Sequence, residues 1–162
     1  MLHTLFLLVS MAVATPLAPQ ATTPATPTIT ARLVAMWTGK GSVNNAQVTA
    51  KAEFDVVLAN RFTRLRYAFT SPNIGQVFEG HAYYLCAAAT CKGYWLDSQR
   101  SMHLLEAVET ADALTAEWGD GITPRGRTEY KLTSATTLVV TDWIRTPAGE
   151  WRQFGKVDYT RD

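Results

Sequence analysis

Few side chains in this sequence have the type and spacing to do chemistry. Cys86 and Cys91 are its two cysteines, with Ala87-Ala88-Ala89-Thr90 between them. Strand-favouring residues flank both, Phe78 to Leu85 before and Lys92 to Asp97 after. A four-residue loop sets the pair directly opposite across a hairpin. Opposed Cβ atoms stand roughly 4.5–5.5 Å apart, close to the ~3.5–4.5 Å a disulfide needs. The predicted chemistry is therefore a Cys86–Cys91 disulfide. A metal site needs further ligands that the sequence does not supply, so none is assigned. The pairing also fixes a register. Tyr84 meets Gly93, Ala82 meets Trp95 and Gly80 meets Asp97, each large or polar residue against a small one.

The other candidates are cations and aromatics. Arg64, Arg66 and Arg127 can each clamp a carboxylate through two parallel hydrogen bonds, provided they point into a cavity. Turned outward, their stems would cover apolar surface. Tyr67, Tyr83, Tyr130, Trp95 and Trp118 offer apolar bodies with polar tips to line such a cavity, or else fill a core. His81 joins them as a candidate ligand-binding residue, ahead of His103, although a lone strand histidine is more often structural. No catalytic set is recognisable. Ser98 follows Asp97 without a Gly-x-Ser-x-Gly elbow. The acids Glu79, Asp97, Glu106, Glu117, Glu129 and Asp142 are scattered.

What must position these residues is a series of strands. Alternation with period two, broken by turn residues, recurs from residue 32 onward. Arg32–Ser42 puts Leu33, Ala35, Trp37, Gly39 and Gly41 on one face. Residues 46–57, 62–70, 102–109, 113–118, 127–133, 137–145 and 151–160 read as further strands around the cysteine hairpin. Asn44-Asn45, Leu58 to Arg61, Thr110 to Asp112 and Ser134 to Thr136 read as turns. Thr146-Pro147-Ala148-Gly149-Glu150 suits a type I turn with a glycine bulge, which pairs Arg145 with Trp151. About ten strands with short connections and no clear helix predict an all-β, antiparallel up-and-down meander. Closure into a barrel removes its two edges; a two-sheet sandwich is the alternative. A barrel wider than eight strands tends to enclose a cavity.

Composition bounds the rest. The 162 residues, 47% hydrophobic with a formal net charge of +1, suit one globular domain and give no basic field for nucleic acid. Leu5 to Val13 is an apolar run closed by Ala12-Val13-Ala14, a small-x-small pattern, so residues 1–14 are predicted to be a signal peptide. The run falls far short of the ~20 residues a spanning helix needs, and no later segment could cross as a helix. Residues 15–30, rich in Pro, Thr and Ala, read as a disordered tether. The barrel domain is assigned to 31–162. Export to the periplasm or outside the cell agrees with the disulfide.

Trp37-Thr38-Gly39-Lys40-Gly41 resembles the Trp-x-Gly-x-Gly opening of bacterial exported lipocalin-like, calycin-type barrels of unknown function. Ala59 to Phe62, Phe78-Glu79-Gly80, Gly93 to Ser98, Gly126 to Tyr130 and Trp151 to Gly155 resemble their later turns and strands in the same order. The resemblance implies a ten-stranded barrel with room for a cavity, and no named reaction. Nitrobindin-type barrels are more distantly similar and hold haem through a histidine near the last strand. This sequence has none after His103, so no cofactor is carried over. The expected function is binding of a small hydrophobic or amphipathic molecule. A filled barrel acting through its surface comes next, and an enzyme of unknown reaction last.

Overall fold

A computed structural model describes residues 27–72, 75–120 and 124–162. The segment expected to be a signal peptide, and the tether up to residue 26, lie outside these residues. Ten strands form one antiparallel barrel: β1 (Ala35–Val43), β2 (Ala46–Val57), β3 (Phe62–Ser71), β4 (Gly75–Ala87), β5 (Thr90–Asp97), β6 (Met102–Glu109), β7 (Ala113–Gly119), β8 (Pro124–Leu132), β9 (Thr137–Arg145) and β10 (Trp151–Arg161). Each pairs with its sequence neighbour, and β1 pairs with β10 to close the ring. The meander and its closure are as the alternation predicted.

Alternation explains the core. Trp37 on β1, Val48, Ala50, Ala52 and Phe54 on β2, Leu65 on β3 and Leu138 and Val140 on β9 all point inward and are buried. Small residues on β1 let the barrel wall approach itself. A Cβ on Gly39 would sit 2.7 Å from the Tyr159 ring and the Asp158 carbonyl oxygen. The turns take the backbone the sequence allowed them. Asn44 and Asn45 both have positive φ, 49° and 65°, as a two-residue primed turn requires. Gly149, at φ 87°, supplies the bulge that lets Arg145 face Trp151.

Two local expectations change. The Cys86–Cys91 disulfide is formed between directly opposed residues, but the hairpin is tighter than a four-residue loop, because Ala87 and Thr90 also pair. And the chain before the barrel is helical. Ile29–Leu33 forms a short helix, α1, so β1 begins at Ala35, not at Arg32. Ile29 and Thr30, read from composition as the end of the tether, are buried with Leu33. A five-residue helix gives no period to read, and it is held by tertiary contacts instead of propensity.

Those contacts seal one end of the barrel. The Glu109 carboxylate Oε1 accepts from the Thr30 backbone N–H (3.0 Å) and hydroxyl (2.6 Å). The Trp37 indole N–H donates to the Leu33 carbonyl at 2.8 Å, and Arg161 stacks over the Trp37 ring at 5.5 Å. Arg161 also donates through Nη2 to the Val34 carbonyl at 2.8 Å. No helix among the described residues is long and apolar enough to cross a membrane.

Candidate functional site

With α1 across one end, the space inside opens toward the other. A cavity of about 420 Å³ lies there, reaching Asn44 of the β1–β2 turn and Gln99 and Ser101 of the β5–β6 turn. This lies in the range of small-molecule sites, about 300–1,000 Å³.

One wall is aromatic. Phe69, Phe78 and Trp95 lie in a stack, with ring centroids 5.4 and 6.0 Å apart and planes within 19° and 13°. Tyr67 meets Phe69 and Phe78 edge-on at 6.0 and 6.1 Å. Glycines on the next strands make room for the indoles. A Cβ on Gly80 would overlap Trp95, and one on Gly126 would overlap Trp118. Each indole thus lies flat over a neighbouring strand. The Trp95 indole N–H donates to Asp97 Oδ2 at 3.0 Å, while Asp97 Oδ1 accepts the backbone N–H groups of Gln99 and Ser101. Asp97 is thereby committed to its turn. On the adjoining strands, His103, the cross-strand partner of Trp95, lies against Trp118 with centroids 5.3 Å apart.

The other feature is a carboxyl inside the wall. Asp142 on β9 shares its face with Leu138, Val140 and Ile144 and borders the cavity. The Thr128 hydroxyl donates to its Oδ1 at 2.6 Å. Its Oδ2 faces Gly155, where a Cβ would come within 2.9 Å. A bulge in β10 between Gln153 and Gly155 turns Phe154 toward the cavity beside it. Asp142 keeps some accessible surface toward the cavity while protein crowds it elsewhere. Burial raises its pKa to about 6, against the lowering effect of the Thr128 bond. Four phenols surround it electrostatically, Tyr67, Tyr84, Tyr130 and Tyr159. Burial raises all four pKa values, so they are neutral hydroxyl groups at physiological pH. The Tyr84 and Tyr130 hydroxyls interact with each other. The buried Tyr159 hydroxyl has no partner in hydrogen-bond geometry, although Tyr67 is near enough to affect it.

The structure divides the sequence candidates in two. Tyr67, Trp95, Trp118 and Tyr130 line the cavity. Arg64, Arg66 and Arg127 do not, because their positions alternate with the inward residues. They lie on the outer face, paired with Asp55 (2.5 Å), Glu53 and Glu117 (2.6 Å) respectively. Arg127 also covers the Trp151 ring at 4.4 Å, nearer than the expected Arg145 at 5.9 Å. His81 is outside as well, 3.4 Å from Glu79. Tyr83 faces out opposite Arg64 and Tyr94, and its neighbour Tyr84 takes the inward place. Sequence reasoning did not single out Tyr84, Thr128, Tyr159 or Asp142 as site residues. For Asp142 a signal existed: alternation along Thr137–Arg145 puts one acid on an otherwise apolar face.

Fold and cavity together define a closed ten-stranded antiparallel β-barrel with one sealed end and an internal chamber. No family model matches the sequence, and no curated protein matches it. Solved structures do share the fold. Rv2717c from M. tuberculosis is 12% identical, with a TM-score of 0.61 over 81% of this chain and 93% of that one. The S-type phycobiliprotein lyase CPES from Guillardia theta is 13% identical, with a TM-score of 0.59 over 82% and 90%. At these identities the likeness is one of fold.

Proposed function

We propose that this protein is an exported binding module whose barrel holds one small, largely apolar molecule through its open end. The observation that carries the reading is the cavity of about 420 Å³, walled by stacked aromatics and bordered by one carboxyl and several hydroxyls. Such a mix of apolar wall and few polar groups is the usual make-up of a small-molecule site. A barrel acting through its surface alone would have no use for that space. Tyr67, Trp95, Trp118 and Tyr130 are the sequence candidates that serve this role. The likeness to lipocalin-like barrels, and the more distant one to nitrobindin-type barrels, enters as a likeness of fold. A second reading, an enzyme with Asp142 as acid or base, is favoured by the displaced pKa of that group.

Export is part of the proposal: a leader over residues 1–14, a tether from residue 15 to the start of α1, and a disulfide suited to an oxidising compartment. The intact mass of the mature protein should then correspond to a chain starting at Thr15. Native mass spectrometry of protein purified from its own host tests the binding role. A bound small molecule, lost when the protein is denatured, is the expected result. No bound molecule, together with no thermal shift across a lipid and cofactor panel, would refute it.

A further inference from the structure

The cavity is electrically one-sided. Arg64, Arg66 and Arg127 all lie outside, each with its own carboxylate. The arginine on the lining, Arg125, is itself exposed. Of the two carboxyls that line the cavity, Asp97 is saturated by the Trp95 indole and two backbone N–H groups. Asp142 is not. Thr128 takes Oδ1, and among the described residues no donor is hydrogen-bonded to Oδ2. The rings around it add to the imbalance, because the face of an aromatic ring is negative.

A partly buried carboxyl short of donors, among phenol hydroxyls and ring faces, is complementary to a cation and repels an anion. Lysine-like ammonium groups carry three donors. One can point at Asp142 Oδ2 and others at tyrosine oxygens. The Phe69–Phe78–Trp95 stack offers a flat apolar surface for the rest of the molecule. On the binding reading above, we infer that the guest is a small aromatic amine in its cationic form, with Asp142 as its counter-ion. A fatty acid or other carboxylate, the guest expected had the arginines pointed inward, is excluded by the same charge pattern.

The affinity should depend on pH. The titratable and charged groups facing Asp142 are Tyr67 on β3, Tyr84 on β4, Tyr130 on β8 and Tyr159 on β10, with Asp97 on β5, His103 on β6 and Arg125 on β8 farther round the lining. The four tyrosines stay neutral between pH 5 and 8.

The test is an NMR titration of the full chain with three probes of one shape: phenethylamine, phenethyl alcohol and phenylacetate. The amine should bind at least tenfold tighter than the alcohol at pH 7.5, and phenylacetate most weakly. With Asp142 titrating at about 6, roughly one molecule in eleven is ionised at pH 5, so amine affinity should fall about tenfold. In Asp142→Asn the preference for amine over alcohol should vanish, along with most of the pH dependence. Equal binding of alcohol and amine, or tighter phenylacetate binding, would overturn the charge assignment and leave the binding module standing. Binding of none of the three would overturn the aromatic-amine assignment and leave the binding module to the mass-spectrometric test above. An undiminished pH dependence in Asp142→Asn would refute the role given to Asp142.

Discussion

If Asp142 is kept for a guest, it should cost the empty barrel stability, and Asp142→Asn measures that cost. The amide is isosteric and still offers Thr128 an acceptor. Burial raises the carboxyl from 3.8 to about 6. Each pKa unit is about 1.4 kcal/mol, so ionised Asp142 disfavours the fold by roughly 3 kcal/mol at neutral pH. That is a ceiling, because Asp142 keeps some surface toward the cavity. The sign follows from linkage. The native state holds this proton more tightly than the unfolded chain. Stability from this group is therefore complete below pH 3.8 and is lost as the pH rises through about 6. Asn has no such slope. Urea denaturation of both proteins, followed by tryptophan fluorescence at pH 4, 5, 6 and 7, should give matching stabilities at pH 4. The variant should then gain progressively, up to about 3 kcal/mol by pH 7. Subtracting one protein from the other removes every other titrating group. A difference independent of pH, or a variant less stable at pH 7, would refute the reasoning.

Gly80→Ala and Gly126→Ala each place a Cβ into an indole. Each should cost about 1–3 kcal/mol and shift tryptophan fluorescence as Trp95 or Trp118 moves into the cavity. Removing the disulfide by Cys86→Ser with Cys91→Ser should cost about 2 kcal/mol, the loop being short, and should remove the reductant-dependent mass shift on alkylation. Glu109→Ala strands the N–H and hydroxyl of Thr30 under α1. It should cost about 2 kcal/mol and speed hydrogen exchange at Thr30 more than in the strands. On the outer face, Arg64 holds the Asp55 pKa down, chiefly by hydrogen bonding. The pair therefore stabilises above pH 3.8 and its contribution is lost as the pH falls through the lower native value. The pair is solvent-screened, so little stability is at stake, and NMR titration of Arg64→Met should show Asp55 titrating at higher pH.

The alternation of side chains and the turn residues were enough, by themselves, to specify the ten strands and their order. Cross-strand size matching around Cys86 and Cys91 specified even the register, because a slip of one residue would exchange the faces of the whole hairpin. The same alternation ruled Arg64 and Arg66 outside once Leu65 and Tyr67 were inside. What period alone leaves open is which of two adjacent tyrosines faces in, and here tertiary pairing chose Tyr84 over Tyr83. Three things came only from closure of the ring. One is α1, whose five residues carry no periodic signal and are fixed by Trp37 on the next strand and by Glu109, 79 residues from Thr30. Another is the cavity, since whether a barrel is hollow depends on how side chains from all ten strands fill a shared space. The last is the character of Asp142. In the sequence it is one acid among several, and it becomes a shifted carboxyl because closure of the ring buries it from water. Local pattern sets which way a side chain points, but its dielectric surroundings depend on strands that only the folded ring brings together.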